Sequence, residues 1–274
     1  MELADDSLDD FDISSHTLDG LTREVFTLNN SGPGVIVMPE MPGISPEVAR
    51  FARWIRDAGF AVHVPSLFGR PGVAVSAEEG AEVMKRACVS AEFRVLAGTG
   101  TSPVVSWLRQ LARLAHRDNG GIGVGAVGMC FTGNFALAMT LEPSVRAPVL
   151  SQPSLPLDQP AALELSEADA AQISHRFDSE QLVALGLRFD GDRWCTGERF
   201  AAYESLLGEG FCPRVLPASS ANPHPPPFHD QVVASPHSVL TAHLIDEVGH
   251  PTIEARDAVI RFLHDRLRPE RPGE

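Results

Sequence analysis

The amino-acid sequence predicts an α/β protein built on a mostly parallel sheet with helices on both faces. Two short apolar runs without polar alternation, residues 35–38 and 60–65, read as strands buried on both sides. Between them Ser45-Pro46-Glu47 has the chemistry of a helix start, with Val48, Phe51, Ala52 and Ile55 at helical spacing before Gly59. A strand, a helix and a strand with short links imply parallel pairing. The alternation then recurs: Ser102-Pro103 opens a helix with Val104, Trp107, Leu108, Leu111 and Leu114 on one face, Gly120-Gly121 breaks it, and residues 122–127 form the next strand.

The remaining elements follow in order. Residues 1–12 are acidic and read as a mobile tail. Residues 21–28 alternate and read as an antiparallel edge strand, and residues 29–34 turn into the first buried run. After the strand at 122–127 comes a second helix, then strands near 147–150 and 182–189, and a last helix beyond Pro251-Thr252 carrying Val259, Ile260, Leu263 and Leu267. Residues 13–270 are thus expected to be one domain, with insertions near 154–176 and 216–236 over the active-site end of the sheet.

With 274 residues, 43% hydrophobic and 21% charged, the chain has an ordinary globular composition. A formal net charge of −14 sets its long-range field against nucleic acid and anionic membranes as partners. The first residues, MELADDSLDDFD, are acidic where a secretory signal would be basic and then apolar, so a cytoplasmic protein is expected. Four dispersed cysteines (88, 130, 195 and 212) form no disulfide framework and no C-x-x-C pair. His224, His229, His237 and His243 match no metal-ligand spacing and read as incidental loop histidines, so neither a metal nor a cofactor is expected.

Chemistry concentrates at Val127-Gly128-Met129-Cys130-Phe131-Thr132-Gly133, a G-x-C-x-x-G run between a predicted strand and a predicted helix. A nucleophile at such a turn sits on strained backbone, so neighbours two or three positions away must be small, as Gly128 and Gly133 are. The helix N-terminus behind Cys130 favours thiolate, and the Phe131 N–H would face an oxyanion. Its bland alternative is an inert core thiol. The other three cysteines have no elbow. A nucleophile followed by an acid and a late histidine is the chain order of the α/β-hydrolase fold.

The chain also resembles the dienelactone hydrolase family, through Val37-Met38-Pro39-Glu40-Met41-Pro42-Gly43, the strand ending Val64-Pro65-Ser66-Leu67-Phe68-Gly69, the cysteine elbow and a late Gly249-His250. That resemblance implies a Cys-Asp-His triad of Cys130, Asp192 and His250, with Asp190 an open alternative for the acid. It implies that Glu40 contacts the resting cysteine and controls the nucleophile, with the Met41 N–H as second oxyanion donor. Two departures stand out. Thr132 occupies the place of the first of two family glycines, and Glu254 replaces the arginine expected after the histidine, with Arg256 two residues later. Arg86, Arg94 and Arg256 are the remaining candidate substrate contacts.

The reading that follows is hydrolysis of a small ester or lactone through an acyl-thioester. An acyltransferase of the same fold is one alternative, and a non-catalytic small-molecule-binding or thiol redox-sensing protein is another.

Overall fold

The computed structural model describes residues 4–29, 31–93 and 102–268. Its strands are β1 (Asp12–Leu18), β2 (Leu21–Leu28), β3 (Gly34–Met38), β4 (Ala61–Pro65), β5 (Val124–Met129), β6 (Val145–Ser151), β7 (Ala184–Phe189) and β8 (Phe211–Leu216). They make one sheet in the order β1-β2-β4-β3-β5-β6-β7-β8. β2 is antiparallel to both of its neighbours, β1 and β4, and the other pairs are parallel.

Alternate side chains of β3 feed two cores, as a strand requires. Val35 and Val37 pack with Val48, Phe51 and Ile55 of α1 (Pro46–Asp57) and with Val259 and Leu263 of α7 (Pro251–Leu267). Ile36 and Met38 pack on the other side, with α3 (Pro103–Asn119), α4 (Gly133–Ala138), α5 (Glu167–Glu180) and α6 (Gly197–Leu207). Helices therefore cover both faces. Ser45 and Ser102 cap α1 and α3 as expected, each accepting a backbone N–H three residues on. Among the described residues no helix is long and apolar enough to cross a membrane.

Three sequence expectations need correction. Residues 21–28 are not the edge, because β1 lies outside them, joined through Asp19-Gly20 at φ 48° and 80°. Two left-handed residues suit a tight hairpin, and Asp-Gly is its local signal. The far edge, β8, escaped the pattern because four of its six residues are exposed. The acidic N-terminal segment is docked rather than mobile from residue 5 onward. Arg53 binds Asp6 and Asp10 at 2.6 Å, Asp5 accepts the Ala74 N–H, and Leu8 and Phe11 are buried. Composition revealed the charge of this segment but not the two arginines of α1 waiting for it.

The path of the chain decides where chemistry can occur. From β3 it steps to β4 on one side, while β5 pairs with β3 on the other. Ligands of open α/β sheets bind beyond the carboxyl ends of the strands where this order reverses. Glu40, Cys130, Ser154 and Asp192 all follow such strand ends.

Breaking the N-terminal clamp should loosen that segment alone. Arg53→Ala is expected to cost about 1–2 kcal/mol, since this is a bidentate, partly buried network rather than a free surface pair. Hydrogen exchange should accelerate in residues 5–11 and leave β3 and β5 protected; uniform acceleration would contradict local docking.

Candidate active site

Cys130 stands at the end of β5 with φ 54°, in the left-handed region that a residue with a side chain occupies only at a cost of about 1–3 kcal/mol. The surroundings explain why it holds. A Cβ on Gly128 would lie 2.2 Å from the Thr132 carbonyl oxygen, and one on Gly133 would lie 2.7 Å from Pro153 Cα. Only glycine lets the chain double back so closely. Thr132, the departure noted in the elbow, is a brace. Its buried hydroxyl accepts the Met129 N–H at 2.9 Å and lies 3.1 Å from the Met38 carbonyl. β3 and β5 are already in register there, Met38 beside Gly128. The loop carrying Glu40 and Met41 is thereby held against the turn carrying Cys130 and Phe131.

The thiol is half-buried, and its sulfur lies 3.5 Å from Ser154 Oγ. The helix behind it is shorter than the sequence suggests: one 3₁₀ turn over Cys130–Thr132 and then six α residues. Positive charge beside the sulfur has another source.

That source is His237. Its Nδ1 lies 2.7 Å from Asp192 Oδ2, and both side chains are buried. A carboxylate can only accept, so Nδ1 carries the hydrogen and Nε2 is left to face elsewhere. Nε2 has no protein hydrogen bond of good geometry, yet Cys130 is near enough to act on the ring. Burial works against the charged imidazole, but the Asp192 carboxylate and the Cys130 sulfur outweigh it and raise the pKa well above the ordinary value. Asp192 is itself fixed by the N–H groups of Trp194 and Cys195, at 2.8 and 3.0 Å. Asp190 instead accepts the Ala218 N–H at 2.7 Å and is exposed.

A half-buried cysteine on a left-handed strand-to-helix turn, beside a buried His–Asp pair, is a nucleophile-elbow geometry. The sequence matches the model of the dienelactone hydrolase family over residues 23–174. The chain belongs to the dienelactone hydrolase family. Membership makes it a carboxylic ester hydrolase by class. Solved structures share the fold. A dienelactone hydrolase-like promiscuous phosphotriesterase from metagenomic libraries is 19% identical, with 94% of this chain and 98% of that one covered and a TM-score of 0.60. The dienelactone hydrolase of Anabaena variabilis is 14% identical, with 94% and 98% covered and a TM-score of 0.56. An esterase of Pyrococcus furiosus is 11% identical, with 97% and 96% covered and a TM-score of 0.55. No curated protein matches the chain.

Other residues that the family resemblance marked lie elsewhere. His250 is not the histidine paired with Asp192: it caps α7, its Nδ1 hydrogen-bonded to Thr252 at 2.8 Å. The histidine that is paired lies 45 residues after Asp192, inside the loop read as incidental. Arg256 stacks 4.6 Å over Trp54 and pairs with Asp257, and Arg86 is exposed on α2 (Ala77–Val89). Arg94 lies outside the described residues.

Glu40 is buried, and its carboxylate is well occupied. It accepts from Ser238 Oγ at 2.6 Å, Gln152 Nε2 at 3.1 Å and the Thr241 hydroxyl, and His229 Nε2 lies 3.6 Å away. Burial pushes its pKa up, but His229, Ser238 and Thr241 overcome that and bring it down to about 2. His243, driven to about 3 by burial and then by His229 and His237, stays neutral, so its Nδ1 can accept the Ser238 N–H at 3.2 Å. Glu40 therefore helps to anchor the loop that presents His237.

This predicts a pH signature. Glu40 stabilises the fold fully above its ordinary value of 4.5 and loses that contribution as pH falls toward 2. Glu40→Gln should cost roughly 2–3 kcal/mol near neutrality, and its deficit against wild type should shrink in acid. Unfolding measured in both proteins from pH 7 to pH 3 checks this; a constant deficit would remove the charge from the account.

Proposed function

We propose that the protein hydrolyses a small ester or lactone with Cys130 as nucleophile, His237 as base and Asp192 as the acid that orients it. The observation that carries this reading is the Asp192–His237 contact at 2.7 Å, with the free edge of the ring beside Cys130. A buried nitrogen without a partner is costly, and substrate or thiol supplies the missing one.

The chemistry follows from the arrangement. A raised histidine pKa beside a thiol favours a thiolate–imidazolium pair. The thiolate sulfur attacks the carbonyl carbon, and the oxygen gains negative charge opposite the backbone N–H groups of Met41 and Phe131. This assignment is supported by the Thr132 brace that holds their two loops together. As the tetrahedral adduct collapses, the C–O bond to the alcohol breaks and His237 Nε2 gives its proton to the departing oxygen. Water then attacks the thioester, passes a proton to Nε2, and the C–S bond breaks to release acid and thiolate. Asp192 holds the ring in one tautomer through both steps.

Cys130→Ala should lower hydrolysis of activated esters by about three orders of magnitude or more while leaving the melting temperature near wild type. Intact-mass analysis should find the acyl adduct on Cys130, and its absence with every ester would favour the non-catalytic alternative. An added alcohol or thiol acceptor that captured most of the acyl group would favour the acyltransferase.

The two histidines give the sharper contrast. His237→Gln should be as damaging as loss of the nucleophile, whereas His250→Ala should keep most of the activity. Asp192→Asn should reduce turnover on the order of 10³–10⁴-fold and lower the His237 pKa, read by NMR titration of the ring. A reversed ranking of the histidine variants would overturn this assignment.

A further inference from the structure

His237 is held from both sides. Directly after it, Ser238 and Thr241 donate to Glu40, and the Val239 N–H reaches Gln152 Oε1 at 3.4 Å. The chain arriving at His237 has no such network. It leaves the π-turn His229–Val233 through Ala234, in the left-handed region at φ 51°, and then runs through Ser235, whose buried hydroxyl has no hydrogen-bond partner, and Pro236, which has no N–H to give. Among the described residues, the side chain from outside the loop that donates to residues 233–236 is that of Trp194, whose indole N–H meets the Val233 carbonyl at 2.9 Å.

Trp194 also grips the other member of the pair. Its backbone N–H donates to Asp192 Oδ1 at 2.8 Å, while Oδ2 of the same carboxylate meets His237 Nδ1 at 2.7 Å. The indole and imidazole centroids lie 6.5 Å apart with their planes at 51°. That is farther than the roughly 6 Å at which a cation is drawn to an indole face, so the hydrogen bond is the stronger part of the contact. A carbonyl at the end of a helical turn has no partner within the turn, and Val233 is buried, so the indole N–H answers a real need.

From this we infer that Trp194 is a positioning residue for the reaction, bridging the loop after β7 that carries Asp192 and the segment that leads into His237, so that the imidazole stays on its carboxylate. The inference rests on the reading of His237 as base given above. The titratable groups that act on His237 are Asp192 after β7, Cys130 after β5 and His243 on its own loop. Trp194 is uncharged and acts on the ring by fixing its distance from them. Its backbone N–H persists in every variant, so a change of side chain removes the arm to Val233 and leaves the grip on Asp192.

The test separates the donor from the ring. Trp194→Phe keeps an aromatic ring without a donor, whereas the amide of Trp194→Gln can donate without a ring. Trp194→Phe should lower kcat for an activated ester by about 10- to 100-fold, the loss that a displacement of about an ångström at a reacting group produces, with KM within about twofold of wild type. Trp194→Gln should recover most of that kcat. In Trp194→Phe the His237 ring, followed by NMR, should titrate at lower pH than in wild type, because it has left Asp192. If Trp194→Phe does not fold, 3-benzothienylalanine placed at position 194, which keeps the indole's shape without its N–H, gives the same comparison. A raised KM at unchanged kcat would make Trp194 a substrate wall instead, higher kcat in Trp194→Phe than in Trp194→Gln would assign the effect to ring bulk, and an unchanged ring titration would overturn the bridge. Full activity in His237→Gln would mark failure of the base assignment, and the ring titration, which needs no turnover, would still decide whether Trp194 holds the pair together.

Discussion

The site depends on one local constraint, the left-handed backbone at Cys130. A positive φ at a residue with a side chain turns the chain sharply enough to lift the sulfur off the end of β5, and it survives only because its neighbours remove every competing contact. Gly128 and Gly133 leave room, and Thr132 fills the inside of the turn with a hydroxyl that also reaches β3. The parallel pairing of β3 with β5 places the two strand ends side by side, so a strained turn on one strand is braced by the loop leaving the other. A side chain at either glycine would undo the sulfur's position before it affected anything chemical.

Two buried carboxylates divide the work around this turn. Asp192 pairs with His237 and raises that ring's pKa, while Glu40 accepts from Ser238, Thr241 and Gln152 and ties down the loop on which His237 is carried. The histidines diverge for the same reason. His237 has a carboxylate at hydrogen-bond distance and rises, whereas His243 is buried among other histidines and falls to about 3. Local partners, not residue type, set each charge.

Much of this was legible beforehand, because strands buried on both faces, serine caps and a glycine-flanked cysteine are local signals. The parallel β-α-β core and the helix starts at Ser45 and Ser102 follow from periodicity and capping within a few residues, the elbow follows from its glycines, and Asp192 was implied by the family resemblance. The hairpin at Asp19-Gly20 carried an equally local signal that the acidic composition around it obscured. The histidine was different. Four histidines in a proline-rich stretch have no periodicity, and the one that follows a glycine before a helix was the more familiar pattern, although it serves as a helix cap.

By itself, then, the sequence determined the central elements, their parallel order and the strained cysteine, since each is decided by contacts within a turn or two of chain. Tertiary structure decided which histidine meets Asp192, which oxygen of Asp190 or Asp192 is buried, and what Glu40 holds. These are pairings across 45 residues or more, made by an irregular loop that folds back over the sheet's carboxyl edge. Nothing in the spacing of such a loop encodes its path; that path is set by where buried carboxylates can find donors, which exists only once the sheet has formed.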